Sequence, residues 1–114
     1  MKRSQRSPLK RARAKREGVP AHWRQGVRWY PCEACGERSV HAHHIIYEQH
    51  CRKHGAPVYD VRNRMLLCFN CHGQHHARRK VLRIPDDHPV WEFAAEHNLA
   101  WLVERTYWHE EDAA

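Results

Sequence analysis

Two Cys-x-x-Cys pairs, Cys32-Glu-Ala-Cys35 and Cys68-Phe-Asn-Cys71, constrain this chain more than any other feature. With 114 residues, 41% of them hydrophobic, it has room for one small domain whose core alone would leave it marginally stable. Domains of that size are commonly stapled, by disulfides or by a metal. The basic N-terminus is not followed by the apolar stretch of an export signal, and no segment approaches the length of a membrane span. The expectation is an intracellular, reducing setting with no membrane partner, where paired Cys-x-x-Cys motifs bind metal. Four thiolates complete a tetrahedral shell, so Cys32, Cys35, Cys68 and Cys71 are expected to hold one structural Zn2+, closed to substrate. Cys51 lies outside the pattern and reads as a loop residue.

The rest of the chain organises around these pairs. "SVHAHHIIY" reads as a strand on the β preference of Val40, Ile45 and Ile46. Residues 48–60 are polar and read as a loop, punctuated by Gly55 and Pro57. A short extended piece, Met65 to Leu67, leads into the second Cys pair and a helix ending near Lys80. Beyond Pro85, Asp87 is the expected N-cap, and Asn98 can take the left-handed conformation that divides the segment into two short helices. Trp91, Phe93, Trp101, Leu102 and Tyr107 are expected to pack on the metal-bound centre as core. The fold class is α+β, in three parts: a basic arm over 1–19, a zinc-stapled core over 20–84 and a helical extension over 85–114 packing on that core. Within the arm, Ser7, Pro8 and Gly18 mark a short helix that orders on a polyanion.

The histidines are surplus to a tetrathiolate site. His72 and His76 stand four apart on the helix after the second Cys pair, one turn from each other on one face, the spacing used to chelate a metal. His43 and His44 are neighbours on a strand and point to opposite faces. One can bind metal while the other stays free as a base. His41 shares the face of His43 and is an outer-shell option, but the favoured reading of His22, His41, His50 and His54 is ordinary packing or solvent histidine.

The order "CEAC", "HAHHII", "DVRN", "LLCFNCHGQHH", covering residues 32–76, resembles the HNH endonucleases, also called ββα-metal or His-Me finger nucleases. A small chain with a basic arm and two terminal helices more loosely resembles the HNH proteins of phages and prophages. The resemblance implies a zinc-stapled ββα-metal domain that hydrolyses DNA phosphodiesters. It makes His44 the general base and His43 its metal-binding neighbour. Asn63 becomes the residue that pins the loop after the first strand, and His72 and His76 the ligands on the helix. His75 departs from the pattern, as a replacement for His76 or a phosphate contact. The implied cofactors are structural Zn2+ and one catalytic divalent ion, Mg2+, Mn2+, Ni2+, Co2+ or Zn2+; an imidazole shell suits the softer ions better than Mg2+.

Charge supports a polyanion partner. The formal net charge is +7, with eight Lys/Arg and no acid in residues 1–16, and one Arg against eight acids in residues 85–114. DNA-backbone contacts are expected from Lys2, Arg3, Arg6, Lys10, Arg11, Arg13, Lys15 and Arg16 in the arm. Arg62, Arg64, Arg78, Arg79 and Lys80 are expected to add to them, the last three on an extended helix past the metal ligands. No base-reading helix is evident, so cleavage should be weakly sequence-specific. Two other readings stay open on the residues alone: a non-catalytic zinc-ribbon module that binds nucleic acid, and an accessory nuclease within a phage DNA-packaging terminase.

Overall fold

A computed structural model describes residues 18–108. The helix expected in the arm, and all eight arm cations named above, lie outside the described residues.

Two strands pair antiparallel: β1 (His41–His44) and β2 (Arg64–Leu67), with His41 opposite Leu67 and His44 opposite Arg64. Four short helices accompany them: α1 (Glu48–Lys53), α2 (Phe69–His76), α3 (Val90–Glu96) and α4 (Ala100–Thr106). Single 3₁₀ turns cover Ala21–Arg24 and Val61–Asn63. The chain is therefore α+β, with a two-stranded sheet and α2 following directly on β2.

Strand β1 is shorter than the β propensity of Val40, Ile45 and Ile46 suggests, for an identifiable reason. Asn63, fully buried, accepts from Ile46 N–H through Oδ1 at 2.7 Å and donates to Ile46 C=O through Nδ2 at 2.9 Å. A side chain thus takes the place of a strand partner at Ile46, and the backbone turns away there. Removing that amide would leave a buried peptide unpaired, at a cost of about 1–3 kcal/mol per group. Ile45 and Ile46 leave the ladder but stay buried in the core.

Residues 48–53 are a helix and not the expected loop. Six mostly polar residues carry no apolar period to read. The helix forms because Cys51 points inward, fully buried, and accepts from Asn63 Nδ2, while Arg52 pairs with Glu48 one turn back at 2.7 Å. Cys51 is a core residue rather than a loop residue.

Helix α2 stops at His76, short of Lys80. Arg78 adopts φ +60°, and Arg78 N–H and Arg79 N–H return to the carbonyls of His75 and Gln74, a left-handed stop of the Schellman type on a non-glycine residue. Asn98, at φ +58°, separates α3 from α4 in the same manner, as its residue type suggests. The α3 N-cap is Pro89 rather than Asp87, with His88 Nδ1 accepting from Val90 N–H.

One core joins the two halves. Ile45, Ile46, Met65 and Leu67 pack with Leu82, Ile84, Val90, Phe93, Leu99 and Val103 in a single buried cluster. The 85–108 segment is thus an integral wall of the domain. It is tied on by Arg62, which ion-pairs with Asp60, Glu92 and Glu96 and lies over the Phe93 ring. Of the aromatics expected inside, Phe93 and Tyr107 are buried and Trp91 partly so, whereas Trp101 remains 48% exposed.

Candidate metal centre

The four knuckle cysteines converge, their sulfurs all within 4.8 Å of one another. Cys35 Sγ and Cys68 Sγ are 3.6 Å apart, against about 3.8 Å along the edge of a zinc–sulfur tetrahedron and about 2 Å in a disulfide. Gly36, at φ +84°, lets its N–H turn back to Cys32 C=O and closes the first knuckle. Ala34 N–H donates to Cys32 Sγ, and Cys71 N–H and Lys80 Nζ donate to Cys68 Sγ and Cys71 Sγ. Donors aimed at sulfur suit thiolates bearing surplus negative charge. Cys32, Cys68 and Cys71 are buried. The donor set fits a closed, zinc-like structural site.

A second cluster lies nearby, built from β1 and α2. His43, His72 and His76 each offer a ring nitrogen within 4.8 Å of the others, a set that can hold one metal ion. Nε2 of His72 and Nε2 of His76 face each other at 3.0 Å, close to the roughly 3.3 Å edge of a tetrahedral zinc–imidazole shell. His43 comes from the buried face of β1, and the i,i+4 pair sits across from it on α2.

Neutral imidazole is the metal-binding form, and the surroundings enforce it. Burial, then the neighbouring His75, His72 and His76, push His43 down to about 2. Burial, then His76 and His41, bring His72 down to about 4. Hydrogen bonds also set the tautomers. Tyr107 Oη donates to Ile45 C=O at 2.7 Å, so its oxygen accepts the Nε2–H of His43 at 2.8 Å and leaves Nδ1 of His43 with a free lone pair. His72 Nδ1 lies 3.0 Å from His41 Nδ1. A Nδ1–H given to His41 leaves Nε2 of His72 as the lone-pair donor. His41 is therefore in hydrogen-bond contact with a member of the imidazole cluster rather than an ordinary solvent histidine.

Compared with family models, curated proteins and solved structures, the chain finds no match. Its chemistry has to be read from the side chains themselves.

His44 turns to the other side of β1. Its Nε2–H donates to Val58 C=O at 2.9 Å, and its ring stacks on Trp23 with centroids 4.1 Å apart. The carbonyl fixes the proton on Nε2, and Nδ1 is left as a base. Burial holds this imidazole below its ordinary value against the opposing pull of the Val58 carbonyl, so it is uncharged near neutral pH. His44 lines a cleft of about 220 Å³ together with His43, His72 and His76, and with Tyr47 and Glu48. A potential base and a potential metal site thus border one space.

His75 belongs to neither group. It is buried, its Nε2 is 2.8 Å from Tyr47 Oη, and its ring stacks on Tyr107. Several expected phosphate contacts are engaged inside the fold. Arg62 is held by its three carboxylates, Arg64 donates to Trp23 C=O at 2.6 Å, and Lys80 reaches Cys71 Sγ. Arg78 and Arg79 are exposed beyond the end of α2 instead of extending it. Tyr107, Trp23 and Val58 were not evident as site residues; Tyr107 lies 64 positions from His43, and no local pattern links the two. Among the described residues, no helix is long and apolar enough to cross a membrane.

Proposed function

We propose that this protein is a metal-dependent DNA endonuclease of the HNH, ββα-metal type, with His44 as general base and weak sequence preference. The observation that carries the reading is the pairing in one cleft of a three-imidazole cluster with a fourth imidazole of fixed tautomer. A binding module held together by its thiolate site needs neither.

In this reading His44 Nδ1 takes a proton from a water molecule in the cleft, and the hydroxide attacks the phosphodiester phosphorus. The bond to the 3′ oxygen breaks, its electron pair leaves with that oxygen, which takes a proton from solvent water, and the ends are a 5′-phosphate and a 3′-hydroxyl. The charge growing on His44 is spread by its stacking on Trp23 and by the Val58 carbonyl. Asn63 acts at one remove: by clamping Ile46 it fixes the exit of β1 and hence the direction of the preceding imidazoles. A divalent ion held by His43, His72 and His76 would supply Lewis-acid neutralisation of the phosphate and leaving oxygen. Phosphate contacts fall to the exposed Arg78 and Arg79, and to the arm.

The test is incubation of the purified chain with supercoiled plasmid across Mg2+, Mn2+, Ni2+, Co2+ and Zn2+, beside His44→Ala. Wild type should nick or linearise with at least one ion, and the variant should be slower by about 10²–10⁴. Equal activity of the two proteins, or no cleavage with any ion, would remove the proposal.

A further inference from the structure

Tyr47 lines the imidazole cleft and also a larger groove of about 580 Å³. His75, in the lining of this groove alone, has its ring 4.9 Å from that of His43 and its Nε2 2.8 Å from Tyr47 Oη. The groove therefore runs up to the edge of the metal cluster. Arg78 and Lys80 from the turn after α2, and Arg105 from α4, stand along it, and among the described residues its lining holds no carboxylate. The same lining includes two exposed apolar side chains, Trp101 at 48% exposure and Val81 at 66%. Cations and an exposed indole in one lining complement a phosphate-linked aromatic ligand.

We infer that this groove receives an unpaired nucleotide of the strand being cut, with Trp101 stacking on the base and Arg78 and Arg105 holding its phosphates. The placement of the strand at the neighbouring cleft rests on the endonuclease reading; binding in the groove does not require cleavage. Pairing decides the class of ligand. In a continuous duplex both faces of a base are covered by its neighbours, so an indole can stack only on a base that is single-stranded, flipped or at a flap or nick. Arginine forks suit phosphate oxygens better than a lysine already occupied with a sulfur, and Lys80 is occupied in that way. The groove thus selects DNA with an unpaired nucleotide beside the scissile bond, a preference that the metal cluster alone would not impose.

Fluorescence anisotropy of the full chain, without added divalent ion, tests this with a labelled single strand and the corresponding duplex. Trp101→Ala should weaken single-strand binding about 10-fold and change duplex binding by less than about 2-fold. Trp101→Phe, which keeps an aromatic face and guards against misfolding of the alanine variant, should restore most of the loss. Arg78→Gln with Arg105→Gln should weaken single-strand binding and flatten its salt dependence by about 1.4 logarithmic units, about 0.7 for each phosphate contact. Unchanged single-strand affinity in Trp101→Ala, or equal losses for strand and duplex, would overturn the inference. So would displacement of the strand by an aspartate-rich peptide at equal concentration, which would point to a protein partner. The two readings fail separately. If the strand binds as described while plasmid stays intact with every ion, the groove stands and the nuclease does not; if plasmid is cut and Trp101→Ala binds normally, the reverse holds.

Discussion

The two clusters of this molecule share helix α2, which carries Cys71 for one and His72 and His76 for the other, and come out as opposites. In the thiolate cluster four donors converge, three of them buried, with N–H groups aimed at sulfur. In the imidazole cluster three donors converge beside a cleft, and outer partners orient two of them. A full shell leaves nothing for a substrate to do, whereas three donors and an open side leave room for one. The comparison separates what holds this fold together from what can act, although the Cys71 and His72 side chains are neighbours on one helix.

The largest effect is expected on the sulfur side. Cys68→Ser should unfold the chain or lower its melting temperature drastically, since metal binding in small sites of this kind is worth about 10–16 kcal/mol of folding free energy. Thermal melting followed by near-ultraviolet circular dichroism checks it; a cooperative melt close to wild type would mean that the thiolates are not the staple.

His72→Ala probes the other side and should do the converse. Cleavage should be lost while one zinc ion per chain and the cooperative melt remain. Loss of the fold would place His72 in the structural centre and erase the distinction between the clusters.

Tyr107→Phe is a finer cut. The ring and its packing stay, but His43 Nε2 loses its partner and the tautomer is released. Affinity of the imidazole site for Co2+ or Zn2+, measured by titration, should fall about 10–100-fold, with thiolate-bound zinc unaffected. An unchanged titration would show that Tyr107 contributes packing alone.

Acid gives the most graded effect. His43 and His72 titrate in the fold near 2 and 4, well below the ordinary 6.5. Between these values the unfolded chain takes up protons that the fold refuses. Their stabilisation is therefore complete above about pH 6.5 and declines as pH falls, until about 4 for His72 and about 2 for His43. Urea denaturation with the imidazole site free of metal, at pH 7.5 and pH 5, should give a lower midpoint at pH 5. His43→Phe should show a shallower drop; an identical drop would mean that His43 is not responsible.

What could be read in the sequence, and what could not, follows the range of the interactions. The Cys-x-x-Cys pairs and the i,i+4 histidines are local patterns whose geometry is nearly decided by spacing, and the residues come together as the spacing suggests. The break at Asn98 was legible for the same reason. Helix α1 was not, because a single inward Cys51 carries no period. Nor was the early stop of α2, since arginine is an uncommon residue for φ +60° and nothing in "HHARRK" announces it. The ends of long-range contacts were equally hidden: Tyr107 on His43, Val58 and Trp23 on His44, and the carboxylates that take up Arg62. Each depends on which surfaces meet after the 85–108 segment and the N-terminal turn have docked.

The most direct test of the two-cluster account is metal counting in one sample. Elemental analysis of the purified chain, followed by anomalous scattering from a crystal soaked in Mn2+, should give one zinc among Cys32, Cys35, Cys68 and Cys71 and one manganese among His43, His72 and His76. A single atom held by sulfur, with nothing among the imidazoles at saturating Mn2+, would contradict it.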